Sequence, residues 1–261
     1  MDTLFVKIGD FFIGMKEQLI AWILKLKAQF ILCFIEDNRW KYIVDGLVVT
    51  LEVTFVALLI GVCIGVVIAL VRTSYDKTYL DMKPGLGKTF LKCANVIAKT
   101  YLTVFRGTPV VVQLLIWYFV ILAASNNKVL VAFIAFGINS GAYVAEIMRA
   151  GIMSIDHGQM EAGRSLGFNY VQTMRYIILP QAFKNVLPAL GNEVIVLVKE
   201  TSVAGYIALQ DLTKAGDIIR GRVFIAFMPL LAVAIIYLVI VIILTKLVSR
   251  LERRLRASDM R

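Results

Sequence analysis

FIAFMPLLAVAIIYLVIVIILTKL, residues 224–247, carries one charged side chain, Lys246, near its far end. A bilayer core about 30 Å thick takes roughly 20 mostly apolar residues per helix, so this run is long enough to cross lipid. Inside lipid every backbone N–H and C=O must be paired within the segment, which leaves the helix as the form for an isolated apolar run. The fold class read from it is an all-α membrane protein.

The rest of the chain agrees. Of its 261 residues, 59% are hydrophobic and the mean hydropathy is +0.80, above what a soluble globule carries. Four further spans are predicted. The first is 47–72, where Gly61 and Gly65 form a GxxxG pair that permits close helix approach. The second is 101–123, interrupted by Gly107-Thr108-Pro109, where proline's missing N–H predicts a kink. The third, 129–149, holds another GxxxG pair, Gly137 and Gly141, and the fourth, 186–201, is short and polar. Residues 4–35 are apolar but interrupted by Lys7, Asp10, Lys16, Glu17, Lys25 and Lys27, a pattern expected of an amphipathic helix at the membrane interface. No signal-peptide pattern is read at the start, because Asp2, Lys7 and Asp10 interrupt any cleavable apolar core.

The net charge of +10 and pI near 9.6 invite a nucleic-acid reading, yet no basic module stands apart from the apolar segments. Lys and Arg collect instead where cytoplasmic loops are expected. Lys77, Lys83, Lys88, Lys92 and Lys99 follow the first span, and Arg250, Arg253, Arg254, Arg256 and Arg261 end the chain. The connection 125–128 carries one basic residue, Lys128. The first loop, the loop after the third span and the C-terminus are therefore expected in the cytoplasm, and five spans place the N-terminus outside. Residues 1–43 read as the interfacial helix, 44–250 as the transmembrane unit and 251–261 as a basic cytoplasmic tail.

Several classes of chemistry are excluded. Cys33, Cys63 and Cys93 have no partner spacing for a metal or disulfide framework. Gly87-Lys88-Thr89 resembles the end of a phosphate-binding loop, but the glycine needed five positions earlier is Met82 and no strand precedes it. No nucleophile, metal cluster or acid/base pair emerges, so no catalytic site and no cofactor are expected on this chain.

Between the third and fourth spans the loop reads DHGQMEAGRSLGFNYVQTMRYIILP, residues 156–180. Asp156 with Gln159, and Asn169 with Gln172, have capping-box spacing. Gly167 suits the left-handed position that ends a helix, and Pro180 is expected to terminate the second one. A rigid helical hairpin follows.

That loop resembles the signature of bacterial ABC importer permeases: Glu-Ala-Ala, three residues, Gly, nine residues, Ile-x-Leu-Pro. Here it reads Glu161-Ala162-Gly163, Gly167, Ile177, Leu179 and Pro180, with Gly163 replacing the second alanine. Phe105-Arg106-Gly107-Thr108-Pro109, Asn139-Ser140-Gly141-Ala142-Tyr143, Ala145-Glu146-Ile147 and Leu197 to Ser202 narrow the likeness to permeases for polar amino acids such as histidine, glutamate, glutamine and arginine. The likeness covers roughly residues 44–250. It implies the type I ABC importer fold and a coupling helix that inserts into a separate ATPase subunit, which binds ATP and Mg. It also implies a second permease, identical or homologous, and an extracytoplasmic solute-binding protein.

Polar groups inside spans are costly and tend to face the bundle interior or a water-filled path. Asn139, Tyr143 and Glu146 share one helical face, and Asn192 and Glu193 lie in the fourth span, after Pro188 has weakened the helix start. Glu52 sits near the outer end of the first span. Asn192, Glu193, Asn139, Tyr143 and Glu52 are the candidate substrate path. Interhelical pairing or snorkelling is the competing reading, and leads for Glu52, Glu146, Lys199 and Glu200. Glu193 suits a cationic amino acid, with glutamine equally admissible. The alternative function is an ion-coupled secondary transporter with Glu193 and Glu200 as relays, a class that often shows inverted repeats; none is found here.

Overall fold

A computed structural model describes the backbone of residues 2–257, with side chains from 14 to 255. Ten α-helices account for nearly all of it, and no strand occurs among the described residues. The centre is α2 (Trp40–Thr78) against α5 (Lys128–Met153). Both GxxxG pairs sit in this seam. A Cβ on Gly65 would come within 2.5 Å of Val144, and one on Gly137 within 2.7 Å of Ile60. Gly61 faces Ser140, and Gly141 faces Ile64 and the Tyr101 hydroxyl. Small residues thus let the two backbones approach, as the spacing predicts.

The predicted second span is two helices. The first, α3 (Leu86–Gly107), meets α4 (Val110–Ile116) with its wide terminal turn Trp117–Ile121 at 109°, a sharper change than a proline kink. Thr108 and Pro109 are both extended, so the helix stops and restarts. Gln113 holds the corner: its Nε2 donates to Phe105 O at 2.9 Å, Thr108 O at 3.0 Å and Thr108 Oγ1 at 2.8 Å.

Beyond α5 come the loop helices α6 (His157–Ser165) and α7 (Tyr170–Thr173), then α8 (Leu179–Glu200). Pro180 does not terminate a helix. A wide π turn, Met174–Ile178, joins α7 to α8, and Pro180 lies in the first turn of α8. There its missing N–H costs little, because the first turn's N–H groups have no partner within the helix. Pro188 accordingly sits inside α8 and not at its start.

A 3-10 stretch, Thr201–Ile207, and α9 (Leu212–Val223) follow, unforeseen in the sequence because neither is long or apolar. Asp211 caps α9, accepting from the N–H groups of Thr213 and Lys214. Phe224 is the left-handed residue closing α9, so the final helix α10 (Phe227–Ala257) starts later than the apolar run.

Four helices among the described residues are long and apolar enough to cross a membrane, or five if the bent pair α3–α4 counts as one. Three are Trp40–Thr78, Lys128–Met153 and Phe227–Leu255. The fourth is Gly14–Asn38, the segment expected at the interface; 18 residues within it hold at most two charges, so length and composition also permit a crossing. It includes most of α1 (Asp2–Phe30) and ends in the turn where Asp37 and Asn38 are left-handed. Just before that turn, Cys33 and Phe34 plug into Ile43, Leu212, Ala215, Ile219 and Val233. The side chains of Lys7 and Asp10 at one end, and of Arg256 and Arg261 at the other, lie outside the described residues. The predicted fourth span, inside α8, is not among these helices. Asn192, Glu193, Lys199 and Glu200 make it too polar to sit in lipid alone, and it packs between α5 and α10.

Candidate functional site

The loop 156–180 folds as a capped hairpin. Asp156 accepts from Gly158 N at 2.6 Å, while Gln159, expected to complete a capping box, instead accepts a hydrogen bond from Gln181 at 3.3 Å. Gly167 has φ 85 and closes α6: its own N–H reaches Arg164 O at 2.9 Å, and Phe168 N reaches Gly163 O at 3.1 Å. Asn169 and Gln172 form the predicted reciprocal box, each bond 2.9 Å. Ile152, Ile178 and Ala182 are buried between the hairpin and the ends of α5 and α8, with Met160, Met174 and Ile177 packed on them.

The signature residues divide into two groups. Glu161, Ala162, Gly167, Leu179 and Pro180 are exposed. Gly163 is buried and Ile177 half-buried, so those two hold the hairpin together. A Cβ at Gly163 would lie 2.5 Å from Thr173 Cγ2 and 3.0 Å from Ile177 Cδ1, which explains glycine where the signature has alanine. The same hairpin carries uncovered apolar side chains: Leu166 at 74%, Val171 at 69% and Tyr176 at 62% exposure. Burial pushes the Tyr170 phenol up, against the nearby Arg164 guanidinium.

The candidate path residues are only partly brought together. Glu193 is buried and accepts from Ser140 Oγ at 2.8 Å, which ties α8 to α5. Tyr143, one turn beyond Asn139, lies within electrostatic reach of Glu193, Glu200 and Arg106. Asn139 is buried; its Nδ2 donates to Gln113 Oε1 at 2.9 Å and Phe105 O at 3.2 Å, while its Oδ1 has no partner among the described residues. Asn192 and Glu52 are exposed and do not join this group. Glu146 pairs with Arg149 at 3.4 Å within α5, and across to α3 it lies 3.9 Å from Arg106. Sequence reasoning missed Ser140 and Gln113, quoted or passed over as ordinary polar residues. A hydroxyl three residues before Tyr143 on the same apolar helix was the available signal for the first; nothing marked the second.

The profile of the family described as binding-protein-dependent transport system inner membrane component matches residues 89–257. The chain belongs to that family. This permease is 37% identical over 221 residues, 84% of its length and 94% of the relative's, to the arginine transport system permease protein ArtQ of Bacillus subtilis. Over 182 residues it is 40% identical to the glutamine transport system permease protein GlnP of Escherichia coli, covering 68% of the permease and 83% of that protein. Among solved structures it resembles an amino acid ABC transporter crystallised with histidines, at 41% identity and a TM-score of 0.74, over 85% of this chain and 98% of that one. The MetNI methionine ABC transporter, at 21% identity and a TM-score of 0.69, shares the fold over 84% of the permease and 98% of its own chain. The permease is thus the membrane component of an ABC importer, a transport subunit and not an enzyme, and its fold is that of the type I importers.

Proposed function

We propose that the permease forms, with a second permease, the membrane path for a polar amino acid, and that the hairpin 156–180 couples this path to a separate ATPase subunit. The observation that carries the coupling role is the exposure of apolar Leu166, Val171 and Tyr176 on the same hairpin as exposed Glu161 and Ala162, a hairpin fixed by three caps. Apolar side chains on a rigid, otherwise polar loop mark a protein contact. ATP and Mg belong to that ATPase. The hairpin and the C-terminus face the cytoplasm, in keeping with the basic residues beside them. A solute-binding protein delivers the substrate from the other side.

The substrate class rests on the relatives, whose names specify arginine and glutamine, and on the polar centre of Asn139, Tyr143 and Glu193. A buried carboxylate suits an ammonium or guanidinium group of the substrate. In vesicles holding the whole complex, Glu161→Lys and Gly167→Asp should abolish ATP-driven uptake while the permease still inserts. Normal uptake by both variants defeats the coupling role. Competition against radiolabelled arginine by a panel of amino acids tests the substrate class, and failure of every polar amino acid to be taken up or to compete rejects it.

A further inference from the structure

A cavity of about 540 Å³ opens between α2, α3 and α5, lined by Arg72, Lys99, Thr103, Arg106, Tyr143 and Glu146. Three cations face one carboxylate there, and that carboxylate is shared with Arg149. Arg72 is engaged: its Nη1 donates to Asn95 Oδ1 at 2.6 Å and its Nη2 lies 3.9 Å from Asp76. Lys99 forms no ion pair with any described residue, and Arg106 has only the long contact to Glu146 and the face of the Tyr143 ring, 5.7 Å away. Lys99, Thr103 and Arg106 fall on one side of α3, with the two cations seven residues and about 10 Å apart along its axis. An anionic group between them meets two charges and a hydroxyl.

Tyr143 lines this cleft and also lies within electrostatic reach of Glu193 and, two turns later, Glu200 on α8. Basic side chains of α3 and acidic ones of α8 thus meet at one ring. That arrangement suits a molecule that carries both a carboxylate and a cationic group.

We propose that the cleft of Lys99, Thr103 and Arg106 is the subsite that takes the substrate's carboxylate on the α3 side of the path. The proposal rests on the reading of a polar amino acid as substrate, and names the part of it that this cleft recognises. A charge-assisted bond from a carboxylate to Lys or Arg is about twice as strong as a neutral one and needs no proton transfer. Thr103 adds a neutral donor.

Direct binding to the permease–ATPase complex in nanodiscs, without the solute-binding protein, tests this with radiolabelled arginine and glutamine and with their decarboxylated amines as competitors. The unsubstituted complex should bind each amino acid at least about tenfold more tightly than its amine. Lys99→Gln and Arg106→Gln should each weaken the amino acid about tenfold and leave the amine unchanged, and Lys99→Arg should retain binding. Equal affinity for acid and amine in the unsubstituted complex overturns the subsite without any variant having to fold, and leaves the amino-acid reading standing. Equal weakening of acid and amine in the variants overturns it as well. Unchanged amino-acid binding with loss of retained anionic phospholipid also overturns it, and assigns the cleft to a lipid headgroup. If the unsubstituted complex binds no amino acid at all, both the subsite and the substrate class fall.

Discussion

Gly163 shows how tightly one position can be set. Its missing Cβ leaves room for Thr173 and Ile177, so Gly163→Ala, though it restores the family's alanine, should overpack the hairpin by about 1–3 kcal/mol. Limited proteolysis of the solubilised complex should then cut the loop 156–180 faster, and Thr173→Ala, which clears the two atoms nearest the new methyl, should restore protection. Protection unchanged in the single variant would show that the hairpin yields. At the polar centre, Ser140→Ala removes the hydroxyl that meets Glu193 and leaves a buried carboxyl without that donor, at a cost of about 1–3 kcal/mol. Glu193→Gln keeps a hydrogen-bond acceptor for Ser140 but cannot ionise when a cationic substrate arrives. Assembly should therefore survive in Glu193→Gln, while the KM for a cationic amino acid rises about tenfold or more; an unchanged KM would mean that Glu193 only ties α8 to α5.

Among the elements, the α2–α5 seam depends on its glycines. Gly65→Leu should force the two helices apart and prevent recovery of the assembled complex, with Val144→Ala giving partial rescue, since Val144 is what a new side chain would strike. Full recovery of the single variant by size-exclusion chromatography would refute the close-approach argument. This seam was legible in advance because a four-residue glycine spacing has one geometric meaning on a helix. The hairpin caps were legible for a similar reason: Asn169 with Gln172, and Gly167, act over three residues. Longer-range features were not. The π turn at 174–178 that carries the helix past Pro180 has no residue code, and α9 is too short and polar to stand out from a loop. Lys99 read as a charge marking a cytoplasmic loop and Arg106 as part of a family motif, and only the packing of α3 on α5 brings them beside Tyr143. Asn192 was grouped with Glu193 by adjacency, although neighbouring residues on a helix point about 100° apart.

For the whole molecule, the division is between a shared body and a helix that stands largely outside it. Only 11% of the best span window in Gly14–Asn38 is buried, whereas Cys33 and Phe34 at its end are locked into the bundle. Removing the segment up to residue 28 should therefore leave ATP-driven uptake within about twofold of the intact complex, because its described side chains, residues 14–28, are not core. A collapse of uptake with normal expression would show that α1 serves the path itself. α8, which carries the candidate path residue Glu193, is built differently. From Leu179 to Glu193 the chain is one helix, about 20 Å long, whose first end adjoins the hairpin and whose far end holds the carboxylate. If the hairpin couples to the ATPase as proposed, a stroke delivered at 156–180 travels to Glu193 along a stiff rod, with the wide turn at 174–178 before it and Pro188 within it as the two places that can flex. Slippage between nucleotide turnover and solute movement, the futile cycling that wastes fuel, would then be set by how far those two joints give.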